Sequence, residues 1–318
     1  MKLPILLVFA ISAVAADVPQ AVISNGPIHA TIYLPDANSG YYRGTRFDWS
    51  GVIASLEYKG HNYFGKWFEK YDPKIHDAIM GPVEEFRTND SALQYDEAKA
   101  GDTFIKIGVG VLRKPKEARY SFATQYEIVN GGTWTHREFK DRVEFTHKLT
   151  DASGYAYVYR KTVRLVPGKP QMVIEHRLKN TGKKAFETSV YDHNFFVIDG
   201  QPTGPDFKVS FPFDIVPVAD VTRHAAIQGP SLTYLHDLPK GQSVFTEIKG
   251  FGATSKDYDI RVENTKSKVG AHIVGDRPLS KVLYWSINTT LCPEPYVSMN
   301  IEPGKESAWK ITYDFFAE

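Results

Sequence analysis

Hydrophobic and polar positions alternate along most of the chain, the period-2 pattern of strands with one face buried. Two runs show it most clearly: Ala156–Leu165 and Gln171–Leu178. Between them lies Val166-Pro167-Gly168-Lys169-Pro170, where Pro presets φ and Gly supplies a positive φ, so the pair reads as a hairpin. A second turn, Lys179–Lys184, leads into a third strand over Phe186–Phe196. Towards the C-terminus Lys281–Ile287, Tyr296–Ile301 and Ser307–Phe316 read as strands, the last two joined by Glu302-Pro303-Gly304-Lys305. Near the N-terminus Ala21–Leu34 and Gly51–Tyr58 have the same character.

Helical periodicity is scarce. Asp141–Leu149 and Ser91–Ala100 are the only ambiguous stretches. Many short strands separated by turn signals imply an all-β sandwich or barrel. With no composition shift, repeat or low-complexity linker near the middle, one continuous domain over residues 17–318 is expected.

The first sixteen residues stand apart. Lys2, an apolar run over Leu3–Ile11 and Ala13-Val14-Ala15 form a secretory signal with a small-residue cleavage site,. That run is too short to span a bilayer. Residues 1–16 are therefore read as a removable leader, which implies export to a periplasmic or extracellular location and no membrane attachment after cleavage.

Charge narrows the partners. Lys+Arg 38 against Asp+Glu 37 leaves a formal net charge of +1, without the clustered positive field that nucleic acid requires. A monomer or weak dimer is expected. Cys292 is the single cysteine, so no internal disulfide forms; it is either a reactive thiol or a small buried hydrophobe. Ten histidines lack i, i+4 pairs of metal-ligand type, and no zinc site or other cofactor is expected. Gly108-Val109-Gly110 reads as a strand with close backbone approach rather than a dinucleotide loop,.

Sugars favour aromatic faces for their C–H surfaces and polar side chains for their hydroxyls. The chain holds 5 Trp and 18 Tyr, and Ser189–Gly200 concentrates such residues. Period 2 places Tyr191, His193 and Phe195 on one face of a strand and Asp192 and Asn194 on the other. By the residues alone His193 reads either as a sugar contact or as a satisfied histidine at a core edge. A second cluster, Asn288–Tyr296, sets Glu294 between Pro293 and Pro295, which hold the backbone extended. Glu294 is either a site carboxylate or an exposed loop residue.

From Phe145 to Gly200 the order of strands and turns, ending in Thr188-Ser189-Val190-Tyr191-Asp192-His193-Asn194-Phe195-Phe196, resembles the aldose 1-epimerase (galactose mutarotase) group. Gly44-Thr45-Arg46-Phe47-Asp48 before Gly51–Leu56, and Ile301–Glu306 before the last strand, are similar to segments of that family. The resemblance implies a galactose mutarotase-like sandwich, a sugar or oligosaccharide as partner, and His193 as the general acid of anomer interconversion. It points to Glu294 as the catalytic base, ahead of Glu302, Glu84 and Glu85. Arg46, Arg87, Asp192, Tyr191 and Trp285 become candidate sugar-binding residues. The family's His-Gly-Gly motif is absent, and Met80–Arg87 stands where a Gly-Arg-x-x-Asn-Arg segment is usual. The chain is thus read as a divergent member. The alternatives are a non-catalytic carbohydrate-binding accessory protein and a lyase or hydrolase relative acting on polysaccharide.

Overall fold

A computed structural model describes residues 18–116 and 119–318. The leader expected over residues 1–16 lies outside them. Among the described residues there is no α-helix, and therefore none long and apolar enough to cross a membrane. Almost every strand predicted from alternation is present, including the hairpin Ala156–Leu165 with Gln171–Asn180. The ambiguous Asp141–Leu149 stretch is a strand, Arg142–Thr150. Val143, Phe145, His147 and Leu149 alternate inward there, a period that no helix can satisfy.

Two large antiparallel sheets dominate. One has ten strands and carries Gln171–Asn180, Ala156–Leu165 and Glu306–Ala317 near its centre. The other has six, ending in the order Lys281–Ile287, Thr290–Ile301, Phe186–Phe195, Gly81–Arg87. They pack face to face through large side chains. Phe86 of the six-stranded sheet meets Tyr159 and Trp309 of the ten-stranded one edge-on, with ring centroids 5.4 and 6.2 Å apart. Such tilted contacts suit the positive edge and negative face of aromatic rings.

Two sequence readings change. The strand expected over Tyr296–Ile301 begins earlier, at Thr290, and so takes in Glu294 and both prolines. Gly108-Val109-Gly110 is a tight turn joining Thr103–Lys106 to Gly110–Arg113 rather than a strand interior. A Cβ on Gly108, at φ +80°, would fall 2.8 Å from Asp48. Cys292 is completely buried and burial pushes its thiol pKa up, so it sits as a small apolar filler and not as a thiolate,.

Candidate functional site

The outer face of the six-stranded sheet carries the pocket. Tyr191, His193 and Phe195 project into it from Phe186–Phe195, Glu294 and Tyr296 from the adjacent strand, and Leu283 and Trp285 from the next. Arg46, Asp77 and Phe122 close it from loops, Arg87 from the end of its strand, and Phe245 from Val244–Lys249. Its volume is about 280 Å³, the lower end of the range for small-molecule sites.

Register explains why His193 and Glu294 meet. Tyr191 pairs with Tyr296, and Phe196 bridges Leu291. Both pairs share one register, which sets His193 opposite Glu294 and Asn194 opposite Pro293. Nε2 of His193 lies 3.3 Å from Oε1 of Glu294. Both side chains are about 95% buried. The imidazole is stacked on Phe195 at 3.9 Å and met edge-on by Trp285 at 5.7 Å. Its Nδ1 has no hydrogen-bond partner among the described residues.

Burial also decides where the proton rests. Desolvation pushes His193 well below the ordinary imidazole range, and the Arg46 guanidinium adds to the push,. Desolvation raises Glu294 to about 8 against a partial offset from Arg46. Both shifts favour the neutral forms, a protonated Glu294 beside an uncharged His193. The family resemblance implies the opposite loading, with His193 as the acid and Glu294 as the base.

Arg46 is held by three partners. Nε donates to Glu85 at 2.9 Å, Nη2 to the Tyr191 hydroxyl at 3.1 Å, and Nη1 pairs with Asp77. The guanidinium also lies over the Phe47 and Phe122 rings, 4.4 and 4.3 Å from their centroids,. Gly44 permits the loop behind it, because a Cβ there would come within 2.5 Å of the Tyr42 ring. Arg87 lines the pocket while also contacting Glu85 at 3.5 Å.

The pleat separates the remaining carboxylates. Glu85 faces outward beneath the pocket, where it takes Lys106 at 2.7 Å, Arg46 and the Tyr191 hydroxyl. Its burial opposes ionisation, but Lys106 and Arg46 outweigh it and hold the carboxyl well below its ordinary range. Glu84 and Asp192, paired directly across the strands, face the other way into the core. Glu84 meets His176 Nε2 at 2.7 Å and the Lys161 ammonium. Asp192 is therefore no part of the pocket wall, and period 2 had already put it on the face opposite His193. Glu302 sits in an exposed turn.

Glu84, His176 and Asp192 bring ligand atoms within 4.8 Å of one another, as a metal site would. Sequence spacing concealed this trio, since its members come from three strands. Lys161 already brings its positive charge to Glu84, and burial raises the Asp192 pKa far above its ordinary value, with Glu84 adding to the rise. A proton and an ammonium group thus neutralise the carboxylates, a poor fit to a dication.

Asp77, Phe122, Leu283, Phe245 and Tyr296 were not anticipated. Tyr296 carries a signal, being two residues from Glu294 and so on the same face. The two loop residues, Asp77 and Phe122, carry none.

No protein-family model and no curated protein matches the chain. Solved structures do. A Synechocystis sp. PCC 6803 protein superposes with TM-score 0.61 at 12% identity, covering 98% of this chain and 100% of its own. A C. elegans GalM/aldose epimerase homologue gives 0.58 at 15%, covering 95% and 99%. A putative aldose 1-epimerase from Escherichia coli K12 gives 0.57 at 10%, covering 95% and 100%. At these identities the likeness establishes the fold, and the all-β, galactose mutarotase-like sandwich expected from the sequence is the one present.

Proposed function

We propose that this galactose mutarotase-like sandwich binds a reducing sugar in the His193–Glu294 pocket and interconverts its anomers. The supporting observation is the buried His193–Glu294 pair at 3.3 Å within an aromatic-walled pocket. A hemiacetal carbon bears two oxygens, the ring oxygen and the anomeric hydroxyl. Ring opening puts a proton on the first and takes one from the second, as the carbon–ring-oxygen bond breaks and a carbonyl forms. An acid and a base side by side meet both demands at one carbon. Rotation about the adjacent C–C bond and reclosure on the other carbonyl face give the other anomer and return the protons.

In the free site Glu294 is loaded as the acid and His193 as the base; one proton crossing between them gives the opposite loading. A pair without net charge suits a neutral sugar, since no buried ion must be resolvated when the substrate leaves. Trp285 and Phe245 offer faces for the ring C–H surface, while Arg46, Arg87 and Asp77 supply polar groups for hydroxyls. Export and removal of residues 1–16 belong to the same proposal, supported by the Ala13-Val14-Ala15 signature, and N-terminal sequencing of protein recovered from outside the cytoplasm checks them.

Magnetisation-exchange NMR of α/β glucose and galactose tests the reaction. Exchange above the buffer rate is expected for the native protein, with loss in both His193→Ala and Glu294→Gln. Sugar binding without exchange would reduce the protein to a carbohydrate-binding one. Unchanged exchange in both variants would remove the pair from the mechanism.

A further inference from the structure

A second cavity of about 860 Å³ is lined in part by Arg43 and Trp49, which flank Arg46 in sequence. Arg43, Lys74, Trp49, Tyr126 and Trp134 are among its walls. Arg43 Nε and Trp134 Nε1 are buried there and have no hydrogen-bond partner.

The charges in the cavity are unevenly matched. The Asp36 carboxylate is anchored in its own turn, its Oδ1 accepting from Asn38 N at 2.8 Å, Ser39 N at 2.7 Å and Ser39 Oγ at 2.9 Å. Glu127 is paired with Arg113 at 2.8 Å. The side chains of Arg43 and Lys74 make no hydrogen bond or ion pair among the described residues, and Arg43 feels Asp36 only at longer range. With Glu127 offset by Arg113 and Asp36 still ionised, the lining keeps one surplus positive charge, and neither Arg43 nor Lys74 is tied up in an ion pair.

The aromatic walls are held in place beforehand. Trp134 stacks on His147 at 4.3 Å and 3°, Trp49 donates from Nε1 to the Gly44 carbonyl at 2.8 Å, and Tyr126 stacks on Tyr120 at 5.7 Å. Fixed aromatic faces beside unpaired cations suit a ring with an apolar face and an anionic substituent.

The two cavities draw on the same two segments of chain. Arg43 and Arg46 are three residues apart, so their Cα atoms are separated by about 11 Å at most. Phe122 lines one cavity and Tyr126 the other. The two segments are tied together: Thr45 Oγ1 donates to Thr124 O, and Tyr126 N donates to Thr45 Oγ1, each at 3.1 Å.

We infer that this cavity is a second saccharide subsite, taking an anionic sugar unit of an oligosaccharide whose reducing end occupies the His193–Glu294 pocket. The inference rests on the sugar reading of that pocket. Carboxylate and sulfate substituents share the required chemistry.

Calorimetric titration with trigalacturonate, a sulfated galactose trisaccharide and neutral cellotriose tests it. At least one anionic trisaccharide binds about tenfold or more tightly than the neutral one, a difference of about 1.4 kcal/mol. Which anion prevails identifies the substituent. Arg43→Gln abolishes the preference, and Lys74→Gln weakens it. Equal binding of all three, or a preference intact in Arg43→Gln, overturns the subsite. Monosaccharide exchange separates this from the first reading: exchange without anion preference defeats only the subsite, whereas anion preference without exchange supports it and defeats only the catalytic reading.

Discussion

The Asn194 side-chain amide donates to the carbonyl of Pro293 at 2.9 Å, in the one stretch where the two pocket strands cannot bond normally. In an antiparallel strand a residue's N–H and C=O point to the same side. Since the Pro293 carbonyl meets Asn194, the missing N–H groups of Pro293 and Pro295 both fall on the side of Phe186–Phe195. Backbone pairing stops at Tyr191–Tyr296 and resumes at Phe196–Leu291. Asn194 spans the gap, and its Oδ1 accepts from the Tyr313 hydroxyl at 2.8 Å in the opposite sheet.

Asn194→Leu should therefore leave a buried carbonyl and a buried hydroxyl unpartnered, at a cost of about 1–3 kcal/mol for each. Urea unfolding measures that loss. Anomer exchange should fall more than sugar affinity, because the His193–Glu294 alignment suffers while the pocket walls remain. Native stability in this variant would show that the amide does not hold the strands.

Glu294 makes both stability and activity pH-dependent. Its pKa rises on folding from 4.5 to about 8, so the folded state holds a proton that the unfolded chain loses across that interval. This contribution to stability is fully present below about pH 4.5 and falls by about 1.4 kcal/mol per pH unit until the native carboxyl ionises near 8. Glu294→Gln should gain on the native protein over that window, seen as unfolding midpoints at pH 5 and 8. Exchange should decline as pH rises through 8, when the shared proton departs. A flat difference between the two proteins would show that Glu294 is ionised throughout.

Glu85→Gln should destabilise by about 3–5 kcal/mol, because Lys106 and Arg46 would then be buried without their shared counter-charge,. Denaturant titration reads the loss. Freed from Glu85, Arg46 no longer has a fixed place above the pocket floor, so sugar affinity should drop as well. A near-neutral effect would mean that Asp77 alone holds Arg46.

The local pattern of the chain determined much of this protein. Alternation and the Val166–Pro170 turn located the hairpin of Ala156–Leu165 with Gln171–Leu178, and the residue types made His193 and Glu294 candidates that the family resemblance joined as a pair. Period 2 also separated His193 from Asp192, because successive side chains on a strand point to opposite faces whatever surrounds them. Tertiary structure decided the rest. The contact between His193 and Glu294 spans a hundred residues of chain and depends on strand register, while Asp77 and Phe122 arrive on loops that have no period. Proton placement on Glu294 was beyond any local reading, since it follows from burial and from the position of Arg46, which only the packed fold sets.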